Sequence, residues 1–126
     1  MINFQRTLSF KLFPINLYEV VDEVRAMMLP EEKMLYAFRS FRDQLVFTDK
    51  RIIAVDIKGV SGKKRQMATL PYSRVQYFSV STPGIMKAAS TVELFLSFSN
   101  GFTATFYFVG KAPVQEISRA ISEYVL

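Results

Sequence analysis

From Met34 to Val109 the chain holds no long apolar or helical period. Short runs rich in Val, Ile, Phe, Tyr and Thr alternate with turn residues, which restricts this stretch to a mainly β fold. Seven strands are predicted, over Met34–Ser40, Asp43–Phe47, Arg51–Ile57, Lys64–Leu70, Arg74–Ser81, Thr91–Phe98 and Phe102–Val109. Asp49-Lys50, Lys58 to Gly62, Pro71 to Ser73, Pro83-Gly84 and Asn100-Gly101 punctuate them.

The last two runs also predict how they pair. Val92, Leu94, Leu96 and Phe98 alternate with Glu93, Phe95 and Ser97, and Phe102, Ala104, Phe106 and Phe108 alternate with Thr103, Thr105 and Tyr107. A two-residue Asn100-Gly101 loop would set Phe98 against Thr103, an apolar face against a polar one, because a one-residue slip exchanges the faces of a strand. A three-residue Ser99-Asn100-Gly101 loop with Gly101 in the left-handed region pairs Phe98 with Phe102, Leu96 with Ala104, Leu94 with Phe106 and Val92 with Phe108. That register is the expectation.

Helical spacing flanks the strands on both sides. Leu17, Val20, Val21, Val24, Met27 and Met28 recur on one face of a helix predicted over Asn16–Met28, with Asn16 as N-cap, Glu19 at the capping-box position and Pro30 as the stop. After Gly110, Val114, Ile117, Ile121, Tyr124 and Val125 form the apolar face of a second helix, with Pro113 in its first turn. A single amphipathic helix after a run of antiparallel strands cannot build a doubly wound sheet, but it can plug the open end of a bent sheet or barrel.

Composition removes many functions. Among 126 residues there is no Cys and no His, which excludes disulfides, Ser-His-Asp and Cys-His nucleophile systems, the common zinc sites and the usual neutral-pH proton shuttle. No cofactor is expected, and the chain is read as a non-enzyme. Half the residues are hydrophobic, which argues for one folded domain and for some apolar surface covered by a second subunit. No apolar run reaches the ~18 to 20 residues of a membrane-spanning helix. Residues 1–14 lack the continuous apolar segment and small-residue cleavage site of a secretory signal, so a cytoplasmic location is expected.

The run Leu29-Pro30-Glu31-Glu32, followed by Ala37-Phe38-Arg39-Ser40-Phe41-Arg42-Asp43-Gln44-Leu45-Val46-Phe47-Thr48-Asp49-Lys50-Arg51, resembles the bacterial pleckstrin-homology (PH) domain family. So do Gly59-Val60-Ser61-Gly62-Lys63-Lys64, Pro71-Tyr72-Ser73 and the ending Ile121-Ser122-Glu123-Tyr124-Val125-Leu126. The resemblance covers Leu29 to Leu126. It implies a PH-like seven-stranded antiparallel bent sheet or barrel capped by a C-terminal helix, agreeing with the strand count above, and it suggests ring-shaped homo-oligomers. Residues 1–28 then form an arm and N-terminal helix, and 29–126 the barrel, within one globular unit. Family members commonly carry an acidic stretch before the sixth strand, where this chain has Ile85-Met86-Lys87-Ala88-Ala89-Ser90-Thr91.

Charge is distributed unevenly. The net charge is +5, yet Lys33 to Lys87 holds eleven basic residues against Asp43, Asp49 and Asp56. Lys63, Lys64 and Arg65, beside the Gly59 and Gly62 turn, are the candidate anion-binding residues for a phosphate or acidic peptide; the plainer alternative is that they guard a sheet edge. Gly-x-x-Gly-Lys-Lys is not a phosphate-binding P-loop, because the glycine spacing is wrong and no Ser or Thr follows the lysine. Asp43, Asp49 and Asp56 stand at separate turns, so no metal site is expected. Glu31 and Glu32 read as solvated charges. Tyr36, Phe38, Arg39, Phe41 and Arg42 interleave aromatic and basic groups, but alternate aromatics in a strand belong more often to a core, so nucleic acid is not the expected partner. Phe95 and Tyr107 lie on the otherwise polar face of the last hairpin, and together with Phe4 and Phe10 of the arm they are the oligomer-interface candidates. The leading reading is a self-associating binding module for protein partners; the alternative is a peripheral module on anionic phospholipid headgroups.

Overall fold

The computed structural model describes residues 11–58, 64–81, 91–109 and 114–126. Eight strands form one sheet: β1 (Lys11–Ile15), β2 (Met34–Ser40), β3 (Asp43–Thr48), β4 (Arg51–Lys58), β5 (Lys64–Pro71), β6 (Val75–Ser81), β7 (Val92–Phe98) and β8 (Thr103–Phe108). Their spatial order is β5-β4-β3-β2-β1-β8-β7-β6. Although β5 and β6 are joined by only the turn Tyr72–Arg74, they stand at opposite ends of that order, so the sheet is bent but not closed.

The seven strands expected from the sequence are all present, within a residue or so of their expected ends. The eighth corrects the reading of the arm. Lys11–Ile15 pairs antiparallel with β2, Phe13 opposite Arg39, and parallel with β8, Leu12 opposite Phe108. The Val109 N–H donates to the Leu12 carbonyl at 3.0 Å, continuing that parallel ladder. β1 thus joins β2–β5 to β6–β8. Pro14 hid it, since proline has no N–H for a ladder; here Pro14 lies beyond the two residues paired with β8. The sheet is therefore not wholly antiparallel.

The last hairpin has the expected register. Val92 faces Phe108, Leu94 faces Phe106 and Leu96 faces Ala104. The Phe98 N–H donates to the Phe102 carbonyl at 2.8 Å, and Gly101 closes the loop at φ 90°, the left-handed region that favours glycine.

The expected helix over Asn16–Met28 is replaced by two shorter pieces, a 3₁₀ turn at Leu17–Glu19 and α1 (Asp22–Met27). Val20 and Val21 between them are extended, with ψ of 138° and 146°. A long-range side chain makes the break: Gln44 of β3 accepts from the Val21 N–H at 3.1 Å and donates to the Glu19 carbonyl at 3.0 Å, occupying groups a continuous helix would have used itself. Arg25 donates to the Leu17 and Val20 carbonyls at 2.7 and 2.6 Å and caps the turn. Glu19 still accepts from the Asn16 N–H at 2.8 Å, as its capping-box position predicts.

Two apolar clusters result. The larger lies inside the bend, where Leu12, Phe38, Leu45, Phe47, Leu94, Leu96, Phe106 and Phe108 meet Ile117 and Ile121 of α2 (Val114–Val125). The smaller lies on the outer face of β2–β4, where Val20 and Val24 cover Ala37, Val46, Ile53, Val55 and Ile57. β3 is covered on both sides, so every residue from Asp43 to Thr48 is buried.

Candidate functional site

Glu32, Thr48 and Arg51 are tied into one structural knot. Glu32, read from the sequence as a solvated charge, is only 7% exposed, which corrects that reading; Glu31 beside it is exposed. Arg51 grips the Glu32 carboxylate with both arms, Nε to Oε2 and Nη2 to Oε1, each at 2.9 Å. The Thr48 hydroxyl donates to Oε2 at 2.6 Å, and the Leu29 N–H to Oε1 at 3.1 Å. Burial pushes the Glu32 carboxyl pKa up, but hydrogen bonds from Arg51, Thr48 and Leu29 together with the Arg51 charge outweigh it and hold the value at about 2. Arg51 also donates to the Met27 carbonyl and to Thr69, and the buried Tyr72 hydroxyl donates to the Thr48 carbonyl at 2.8 Å. The knot pins the end of α1 to the β3–β4 and β5–β6 turns.

The three aspartates serve separate places. Asp43 accepts from the Ile57 N–H at 2.9 Å, Asp49 accepts from the Lys33 N–H at 3.1 Å, and Asp56 lies along β4. No group of three or more metal-ligating side chains occurs among the described residues.

Two residues of the basic trio are among the described residues. Lys63 lies outside them, Lys64 is exposed, and Arg65 makes a short ion pair with Glu23 of α1. The Glu23 carboxyl is held below its ordinary pKa by its own backbone N–H first and by Arg65 second. Arg65 therefore helps fasten α1 over the sheet.

The aromatic and basic residues of β2 also separate. Phe38 is a core residue, edge-on to Phe47 with ring centroids 5.7 Å apart. Tyr36 packs against the core and donates to Glu116 of α2 at 3.0 Å. Phe41, in contrast, is 89% exposed at the β2–β3 turn with φ 55°, and the Arg42 guanidinium carbon stands 5.7 Å from its ring centroid. A bulky residue in the left-handed region is unusual and carries strain.

The outer face of β1, β8, β7 and β6 gathers aromatic rings from four strands. Tyr107 stands opposite Lys11 on one side and Glu93 on the other, Phe95 stands opposite Thr105 and Ser79, and Tyr77 stands opposite Ser97. Tyr77 packs against Phe95 in a tilted edge contact with centroids 6.1 Å apart. Tyr77 is 57% exposed and Phe13, next along β1, is 53% exposed; Phe95 and Tyr107 are half-buried. Phe13, Tyr107, Phe95 and Tyr77 thus form a diagonal stripe across the sheet. Phe95 and Tyr107 were legible as outward residues from alternation alone. Phe13 and Tyr77 joined them only through the pairing of β1 with β8 and the β6–β7 register. Phe4 and Phe10, the other interface candidates, and the stretch from Ile85 to Ser90 lie outside the described residues.

An eight-stranded bent sheet with a helix set in the mouth of the bend, and polar motifs spent on structural ties, defines a module of the pleckstrin-homology type, a non-catalytic kind of fold. The chain belongs to the bacterial PH domain family, whose model matches residues 3–125. That match extends beyond the motifs beginning at Leu29 and takes in β1. The chain is similar to the uncharacterized protein YjqA of Bacillus subtilis (strain 168), 40% identical over 78 residues; the aligned part spans 62% of this chain and 62% of the length of that relative. It is also similar to the crystal structure of a DUF1696 family protein with a pleckstrin-homology domain from Shewanella loihica PV-4, with a TM-score of 0.76 and 30% identity over 93% of this chain and 99% of that one. A pleckstrin homology domain from Shewanella amazonensis SB2B superposes with a TM-score of 0.63 and 29% identity, covering 89% of this chain and 90% of that one. No helix among the described residues is long and apolar enough to cross a membrane.

Proposed function

We propose that this chain is a non-enzymatic scaffolding module of the bacterial PH family that associates with further copies of itself, in a ring, and presents its remaining surface to protein partners. One observation carries the self-association: the stripe Phe13, Tyr107, Phe95 and Tyr77 on the outer face of one half of the sheet. The equivalent face of the other half is covered by the chain's own Val20 and Val24. Rings held partly exposed among Ser, Thr, Lys and Glu match the composition of interface cores, where aromatic residues are enriched and a polar rim surrounds them. A head-to-tail contact through this face closes into a ring when its rotation divides the circle.

Light scattering across a protein concentration series tests this reading. The expected result is a multiple of the 14.5 kDa chain mass that falls to one chain in Tyr77→Ser/Phe95→Ser with the β-sheet circular dichroism unchanged. A wild-type monomer at every concentration, or an assembly indifferent to the double substitution, defeats it.

A second reading, binding of anionic phospholipid headgroups, has one observation in its favour. Phe41 and Arg42 project at the same end of the sheet as exposed Lys64, because Asp43 bonds Ile57 and Lys58 pairs with Lys64. An apolar tip beside cations suits a charged bilayer surface. Co-sedimentation with phosphatidylserine vesicles that exceeds that with phosphatidylcholine vesicles, falls with salt and is lost in Phe41→Ser is the outcome it requires. Equal sedimentation with the two compositions removes it.

A further inference from the structure

The turn that breaks the expected N-terminal helix holds an aromatic ring out in water. Tyr18, in the middle of Leu17–Glu19, is 78% exposed, and Leu17 beside it is 36% exposed. Their backbone is tied down from several directions. Arg25 donates to the Leu17 and Val20 carbonyls, the Asn16 N–H donates to Glu19, and the Asn16 Nδ2 donates to the Tyr18 hydroxyl at 3.2 Å. Next to this turn opens a hollow of about 200 Å³, lined by Pro14, Ile15 and Leu17 and by Leu35 and Tyr36 of β2. An apolar cavity of ~150 Å³ holds one benzene molecule, so a single aromatic ring is the size of group that such a hollow takes.

The chain carries a ring of that kind which it cannot place there itself. Tyr77, the most exposed ring of the outer stripe, is on β6, and β7, β8 and β1 stand between β6 and the β2 wall of the hollow. At the spacing of neighbouring strands that separation is roughly 20 Å. Charge matches as well. The turn side is acidic: Glu19 is exposed, the Asp22 side chain is fully exposed, and Arg25 is spent on backbone carbonyls. The stripe side is basic at its β1 end, where Lys11 stands opposite Tyr107 and Arg39 opposite Phe13, both exposed and neither in an ion pair among the described residues.

We propose that the aromatic stripe of one copy docks on the Leu17–Glu19 turn of the next, with Tyr77 seated in the hollow beside Leu17, Tyr18 packed against the stripe, and Lys11 and Arg39 facing Glu19 and Asp22. Aromatic anchors in a pocket with a charged rim are the usual anatomy of such a contact. The two surfaces differ and stand on different parts of the sheet, so each copy offers its stripe to one neighbour and its turn to another. That is the head-to-tail arrangement from which rings are built. This contact rests on the self-association reading and adds to it the surface that receives the stripe.

Mixing two variants of the full chain, each with one surface broken, tests it by light scattering. Tyr77→Ser/Phe95→Ser lacks the stripe, and Leu17→Ser/Tyr18→Ser lacks the turn surface. Each alone is expected to run as a single chain, and the equimolar mixture as a pair of chains and nothing larger, because one intact stripe and one intact turn remain between them. Formation of the pair shows in itself that both variants are folded, and circular dichroism checks each one alone. Asp22→Lys is expected to raise the concentration at which half the chains assemble roughly tenfold. If Leu17→Ser/Tyr18→Ser assembles as the wild type does, the stripe meets another surface; the docking site is then overturned while self-association stands. A mixture of two folded variants that stays monomeric, or an Asp22→Lys chain that assembles unchanged, also overturns it. A wild type that is monomeric at every concentration removes the self-association reading and this contact together.

Discussion

Glu32 shows how one residue can change meaning between sequence and structure. As half of Glu31-Glu32 it has no local signal of burial, yet it ends in a bidentate pair with Arg51 and accepts from Thr48. Its folded pKa of about 2 lies below the ordinary 4.5, so its contribution to stability is fully present above pH 4.5 and is lost as pH falls through 2. A tenfold change in proton affinity corresponds to ~1.4 kcal/mol, which puts the contribution at about 3 kcal/mol at neutral pH. Urea unfolding of Glu32→Gln is expected to show that deficit at pH 7 and a gap to the wild type that narrows between pH 4.5 and 2. A gap that stays constant over that interval would mean that the carboxylate contributes no charge-dependent stability. Its partners Thr48 and Arg51 stand in the run Thr48-Asp49-Lys50-Arg51, which was recognisable as a motif. What the motif does was not, because the pairing joins residues separated by 16 and 19 positions.

At the scale of elements, the β7–β8 hairpin and α1 make opposite cases. Alternation over six or seven residues on each strand, together with a glycine in the loop, left one register that kept both apolar faces together, and that register is the one present. Gly101→Ala is expected to cost about 1–2 kcal/mol without moving the register, since an added methyl meets open space and only the positive φ is strained. Urea midpoints together with amide shifts of Val92–Phe108 check it; a changed pairing pattern would show that the glycine selects the register as well as easing it. The helix expected over Asn16–Met28 had equally good periodicity and yet breaks at Val20–Val21. A hydrophobic period specifies which side chains are buried, and Val20 and Val24 are indeed buried. It does not specify that Gln44 will reach across from β3 and claim the backbone groups at Glu19 and Val21. The two valines, β-branched and weak helix formers, made the local alternative inexpensive.

Across the whole molecule, β1 governs how the two halves behave. Leu12 is buried in the main core while its strand pairs with β2 on one side and β8 on the other. Leu12→Ala is expected to cost ~2–4 kcal/mol and to destabilise both halves together. Chemical unfolding followed by tyrosine fluorescence and by far-ultraviolet circular dichroism should therefore shift by the same amount on both probes. Transitions that separate would show that β6–β8 and β2–β5 hold together without the arm. The open seam between β5 and β6 is the counterpart of this arrangement: the chain joins its halves through the middle of the sheet and leaves the two ends of the order apart.

Residue patterning was enough for the mainly β class, the seven strands from Met34 onward, the register of the last hairpin and the burial of Ile117 and Ile121 on the C-terminal helix, because each depends on periodicity among near neighbours. Folding in three dimensions added the eighth strand, the break between the two helical pieces, the burial of Glu32, and the gathering of Phe13, Tyr77, Phe95 and Tyr107 on one face. In each of these, groups far apart in the chain satisfy one another's hydrogen bonds or share a surface. Their local sequence carries no signal for that, since a strand interrupted by proline, a polar pair beside a turn and single outward aromatics look alike whether or not a distant partner completes them.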